Sequence, residues 1–164
     1  MLTYGLYLGL STIILSVANY SFGNIYKPHW IISILNFVLF IGFIVYGIKV
    51  FKELNGGLLR LGEAIKIGIA IAVIGGILSA VYQWIFMTFI EADFMTKMLE
   101  VQEQVLYEKF PDMDEAILEK QLEMMQKFSS PGIVIATNLA VSLFFGFIIA
   151  LVTGLIMKKE ETQF

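Results

Sequence analysis

The amino-acid sequence reads as an all-α membrane protein: four transmembrane helices, with an extramembrane helical hairpin between the third and the fourth. Three observations carry this reading. Apolar residues make up 58% of the 164 positions, above the about 45–50% of soluble domains. Charged residues make up 15%, against about 25% in soluble domains. Finally, ten of the 14 acidic residues crowd between Glu91 and Glu123, which leaves long stretches on either side almost without charge. A mean hydropathy of +0.80 agrees with lipid as the solvent.

A span needs about 20 mostly apolar residues to cross a hydrocarbon layer of about 30 Å. Four stretches meet this: 1–20, 30–48, 64–90 and 133–157. Within them the one charged side chain is Lys66, near the start of the third. Backbone polar groups in lipid must bond within their own segment, so these stretches are expected to be helices of a single membrane domain. Ser16-Val17-Ala18 has the small-x-small form of a cleavage site, but no Lys or Arg precedes the apolar run, so a retained span is expected over a signal peptide.

The connections differ in character. The first loop holds the turn formers Gly23, Asn24 and Pro28, with Lys27 its one basic residue. The second carries Lys49, Lys52 and Arg60 around Asn55-Gly56-Gly57, and the C-terminal tail carries Lys158 and Lys159. Lys and Arg concentrate on the cytoplasmic side of span ends, so both termini are expected there and the insert on the opposite side.

The acidic insert, 91–130, reads as two amphipathic helices. On a wheel, Phe94, Met95, Met98, Leu99, Val101, Val105, Leu106 and Phe110 share one half, while Asp93, Lys97, Glu100, Gln104 and Glu108 share the other. No glycine or proline intervenes before Pro111, so the third span is expected to run on unbroken to about 109 as a stalk. Asp112 or Asp114 suits the N-cap of a second helix. There Ile117, Leu118, Leu122, Met124, Met125 and Phe128 share an arc opposite Glu115, Glu119 and Glu123. The two arcs are expected to pack together, Leu99, Val105 and Leu106 against Ile117, Leu118 and Leu122, with Gln102 near Gln121. The rival reading is a methionine-lined groove for a protein partner, built from Met95, Met98, Met124 and Met125, with Met113 between them. Ser129-Ser130-Pro131-Gly132 restarts the chain, with Pro131 fitted to the first turn of the last span.

Small residues recur at every fourth position in three spans: Gly5 and Gly9; Gly68, Ala72, Gly76 and Ala80; Gly146, Ala150 and Gly154. Spacing of four places each set on one helix face, where backbones can approach closely. They are expected to pack the bundle, with homo-oligomerisation through an unused face as the functional variant. Polar residues within spans are few: Ser33, Asn36, Ser79, Gln83, Thr137, Asn138 and Ser142. Asn36 and Asn138 are expected to hydrogen-bond each other. No ionisable side chain sits near a span centre, where transporters and proton relays carry them.

Several functions are disfavoured by what is missing. There is no cysteine and one histidine, His29, beside Pro28 and Trp30 at a span edge, so no metal site, catalytic triad or cofactor is expected. No phosphate loop, nucleophile elbow or dinucleotide fingerprint occurs. No basic run suits nucleic acid.

The stretch Tyr46-Gly-Ile-Lys-Val-Phe-Lys-Glu, the following GLLRLGEAIKIG from Gly57 to Gly68, the glycine-rich third span and the charged segment Glu91 to Phe128 together resemble a bacterial family of small membrane proteins, domain of unknown function 4199. This chain departs from it in starting almost directly in its first span, without a basic tail. The resemblance covers nearly the whole chain and implies a bacterial inner membrane. It implies no established activity, and no functional residue carries over from it. The function expected is that of a non-enzymatic scaffold or accessory protein whose insert meets a partner. The alternative is a small transporter or channel subunit acting as an oligomer. A cavity at membrane depth lined by Asn36, Gln83 or Asn138 would favour the transporter; a dry bundle with an exposed apolar patch on the insert would favour the scaffold.

Overall fold

The computed structural model describes residues 1–22, 25–26, 30–112 and 114–159. The expectations attached to Gly23, Asn24, Lys27, Pro28, His29 and Met113 lie outside the described residues. The described residues form six α-helices: α1 (Leu2–Phe22), α2 (Trp30–Leu54), α3 (Leu61–Ile85), α4 (Phe94–Lys109), α5 (Glu115–Phe128) and α6 (Pro131–Met157), with one π turn, Phe86–Ile90, extending α3. Among the described residues, four segments are long and apolar enough to cross a membrane: α1, α2, α3 with its π turn, and α6. Large apolar side chains such as Ile14, Ile34, Val81, Phe144 and Ile156 point outward. Apolar surface on this scale needs lipid to cover it. The protein is a multi-pass membrane protein.

Residue pairs set the directions of the spans. Gly5 meets Ile71, Gly9 meets Gly75, and Tyr20 stacks edge-on against Phe86, so α1 and α3 run parallel. Gly68 meets Ala150, Ala72 meets Gly146 and Ala64 meets Gly154, so α3 and α6 run antiparallel. Tyr4 packs on Tyr46 and Phe37 on Phe145, which turns α2 opposite to α1 and alongside α6. The central helix is α3, which packs against each of the other three spans.

The core lies at the basic end. Ile44, Ile48, Leu59, Ala64, Ile71 and Ala150 are fully buried there. The end of α6 and the segment after it are tied over it to α2 and to the connection between α2 and α3. Leu59 and Lys159 exchange two backbone hydrogen bonds of 2.9 Å, and Lys52 Nζ donates to the Met157 carbonyl at 2.8 Å. The C-terminus of α2 closes through a bond from Gly57 N–H to the Lys52 carbonyl, with Gly56 at φ +67°. That left-handed residue favours glycine. Lys66 is exposed two turns into α3, where a lysine stem can carry its ammonium to the interface.

The third span does not continue into an unbroken stalk. Glu91 N–H bonds the Phe86 carbonyl five residues back, a π-type closure, and Glu91 itself takes φ −133° and ψ 74°, outside the helical region. Three residues, Glu91 to Asp93, separate the π turn from α4. The interruption has no glycine or proline behind it. At the interruption the Glu91 carboxylate is held by Tyr20, Tyr26 and Lys97.

The second half of the insert starts as expected, with Asp114 accepting from Ala116 N–H at 2.9 Å. Likewise Ser130 caps α6, with Pro131 in its first turn. The contact between α4 and α5 is narrower than the wheel suggested. Leu118 is buried and Leu122 and Met125 half-buried, but Ile117, Met124 and Phe128 stand exposed on the other stripe of α5. Met98, Val101, Gln102, Val105 and Leu106 of α4 line a hollow together with Met125.

Candidate functional site

Both small-residue rows that close the bundle at the basic end change character towards the acidic end. A methyl group built on Gly68 would lie 2.3 Å from the Ala150 Cβ, and one on Gly146 would lie 2.6 Å from that of Ala72. Two turns further along α3, the row reaches Gly76, where an added methyl would meet the tip of Leu139 at 3.0 Å and Ser142 Oγ at 3.6 Å. From there α6 presents Ser142, Leu139, Asn138 and Ile135 in place of Gly154, Ala150 and Gly146. These larger side chains hold the helices apart. On α1 the same change occurs, from Gly5 and Gly9 to Thr12, Ser16 and Asn19.

The result is a cleft of about 380 Å³ between α1, α3 and α6, a size within the roughly 300–1,000 Å³ of small-molecule sites. Thr12, Ser16 and Asn19 line it from α1, Gly76, Ser79, Ala80 and Gln83 from α3, and Ile135, Asn138, Leu139 and Ser142 from α6. Among the described residues, no Asp, Glu, Lys or Arg lines it. Its hydroxyls are partly committed: Thr12 donates to the Leu8 carbonyl at 3.0 Å and Ser16 to the Thr12 carbonyl at 2.9 Å. Across the cleft Asn138 Nδ2 donates to Gln83 Oε1 at 3.2 Å. Each of the two amides lies seven residues inside its span end, a depth of about 10 Å. Towards the basic end the cleft is closed by Leu8 against Gly75 and by Ala72 against Gly146.

Aromatic rings form the mouth. Phe86 packs edge-on against Tyr20 and Phe94, and Phe94 stacks on Tyr26. Beside them Glu91 accepts hydrogen bonds from Tyr26 Oη at 2.8 Å and Tyr20 Oη at 3.3 Å, and pairs with Lys97. Lys97 sits in the first turn of α4, the end of a helix where a cation is disfavoured by the backbone dipole; its partner Glu91 compensates. The ammonium and the phenol donors hold the Glu91 carboxyl below the usual glutamate range. The same pairing raises the Lys97 ammonium. One carboxylate thus ties together α1, the first loop and the start of α4.

The sequence-derived candidates divide between the cleft and the zipped half. Gly5, Gly9, Gly68, Ala72, Gly146, Ala150 and Gly154 sit at close helix contacts, while Gly76 and Ala80 line the cleft. Gly47 and Gly75 make equally close approaches, to Ile71 and Leu8. They fall outside the four-residue spacing and so escaped it. The expected Asn36–Asn138 bond is not formed. Asn36 instead donates to the Ile32 carbonyl on its own helix, and its side-chain oxygen is buried without a partner. Asn138 pairs with Gln83, because antiparallel packing of α3 on α6 brings those two levels together. The four methionines do not share one groove: Met98 and Met125 line the α4–α5 hollow, Met95 is half-buried, and Met124 faces outward.

Residues 3–159 match the model of a family described as Protein of unknown function (DUF4199). No curated protein and no solved structure matches the chain. With the match covering nearly the whole length, the chain belongs to the DUF4199 family.

Proposed function

We propose that this is a non-enzymatic accessory protein of a bacterial inner membrane, which holds a small guest molecule in the cleft between α1, α3 and α6. The observation that carries the reading is the Gln83–Asn138 pair at membrane depth inside a cavity large enough for a small molecule. Asn138 and Gln83 satisfy one half of each amide between them, and the halves left over suit a polar occupant at a depth where unpaired amide groups are costly. The cleft is blind at the basic end. A single chain therefore offers no path across the bilayer, and a transport or channel role requires further subunits. The gathering of Lys49, Lys52, Arg60, Lys158 and Lys159 at one end of the bundle supports cytoplasmic termini, with α4 and α5 outside the membrane on the opposite face. Native mass spectrometry of protein extracted in mild detergent tests the reading. A retained small molecule, lost from a variant with Gln83→Met and Asn138→Leu, is the expected result. Wild-type protein that carries no adduct and gains none from added membrane extract contradicts it.

A second reading places the function on the insert, as a scaffold surface for a protein partner. It rests on Ile117, Met124 and Phe128, which stand exposed on one stripe of α5. Crosslinking from Met124 in intact membranes reads it out: a discrete heteromeric adduct supports a partner there, and lipid adducts alone oppose it.

A further inference from the structure

We infer that the guest of the cleft is an uncharged amphiphile, a neutral lipid whose hydroxyl or ester group meets the Gln83–Asn138 pair while its chain lies among Ile13, Leu139 and Met87. This inference rests on the reading of the cleft as a binding site and adds the chemical class. The first ground is the lining. Among the described residues it offers hydroxyls and carboxamides but no charged side chain, so a headgroup carrying net charge would lose its hydration there without a counter-ion. Second, the polar groups are half-used in a complementary way. Asn138 Nδ2 and Gln83 Oε1 satisfy each other, which leaves Gln83 Nε2 as a donor and Asn138 Oδ1 as an acceptor, neither with a partner among the described residues. A hydroxyl or ester fits that pair, as acceptor to the first and, where a hydroxyl is present, as donor to the second. Thr12 and Ser16 spend their hydrogens on their own helix, so what they add is acceptor capacity for the same hydroxyls. The third ground is depth. The pair lies about 10 Å inside the span ends, deeper than lipid phosphate, at the level where the glyceryl esters of a neutral lipid can slip inward and a charged head cannot. Ile13, Met87, Ile135 and Leu139 supply the apolar wall for a chain.

The experiment uses the full chain in nanodiscs of an anionic phosphatidylglycerol, free of non-ionic detergent, and a monoacylglycerol carrying a diazirine on its chain. Labelling is expected to map to peptides containing Thr12 to Asn19, Gly76 to Gln83 and Ile135 to Ser142. Unlabelled monoolein is expected to compete, while a single-chain anionic phospholipid and an alkyltrimethylammonium are not. Gln83→Met, which keeps the side-chain volume, is expected to weaken binding about tenfold, the equivalent of one hydrogen bond of roughly 1.4 kcal/mol. Competition among these amphiphiles on the wild-type protein needs no variant to fold. If a charged amphiphile displaces the label as well as monoolein does, the neutral class is wrong while the binding reading stands. If no probe labels the cleft peptides of the wild type, both fall.

Discussion

Gly68 and Gly76 occupy the same face of α3, two turns apart, yet a side chain would meet different things at each. At Gly68 the first added carbon collides with the Cβ of Ala150 and presses its Cα, so a whole helix must move. At Gly76 it meets the flexible tip of Leu139 beside a cavity. Overpacking at a tight contact costs typically about 1–3 kcal/mol. Gly68→Leu is therefore expected to lower the unfolding temperature in detergent clearly, while Gly76→Ala leaves it nearly unchanged. Equal effects would mean that the two ends of the α3–α6 contact are packed alike. Glu91 makes a second residue-level prediction, through pH. Its carboxyl titrates below the ordinary glutamate value of about 4.3, so its contribution to stability is present above that value and lost as pH falls through the lowered one. Lys97 titrates above the ordinary lysine value of about 10.4, so its contribution is present below that value and lost as pH rises through the raised one. The difference in unfolding temperature between wild type and Glu91→Gln is thus expected to be largest between about pH 5 and pH 10 and to vanish in stronger acid. A difference independent of pH would show that the ion pair is not what fastens α4.

Among the elements, the spans were legible in the sequence and the insert only partly so. Length and hydropathy place a membrane helix because lipid allows little else. The row from Gly68 to Ala80 and its counterpart on α6 were visible from spacing alone. Their partnership was not, since spacing marks a face without saying which helix it meets. The cleft was hidden for the same reason: Gln83 and Asn138 were both noted as polar, but only the antiparallel register of α3 and α6 brings them together. The break after the third span had no local sign. What marks it is tertiary: Tyr20 and Tyr26, far back in the chain, donate to the Glu91 carboxylate there. For the insert, the wheel gave a broad apolar arc on α5, and the structure divides it into a half facing α4 and a half facing outward. Because the chain has no cysteine of its own, an introduced pair reports this cleanly. Cysteines at Gln102 and Met125, which line the same hollow, are expected to crosslink within one chain. Cysteines at Gln102 and Met124 are expected not to. Crosslinking of both pairs at equal rates would indicate that α5 rolls freely over α4.

For the whole molecule, the four spans form two zones. One end is dry, tied by the Leu59–Lys159 pairing and filled by Ile44, Ile48, Ile67 and Ile71. The other opens into a cleft whose floor is α3, whose mouth is aromatic, and whose upper rim is fastened by Glu91. This polarity follows from composition along each span: glycine and alanine allow contact at one end, serine, threonine and carboxamides keep the helices apart at the other. Cysteine scanning with a membrane-impermeant thiol reagent probes it directly. Single cysteines at Ser16, Ser79 and Ser142 are expected to react from the side of α4 and α5, with prior addition of a neutral amphiphile slowing the reaction. Single cysteines at Ile67, Ala72 and Ala150 are expected to stay unreactive from either side. Labelling of the second set, or a first set that stays unreactive in delipidated protein, would contradict a blind cleft open at the acidic end.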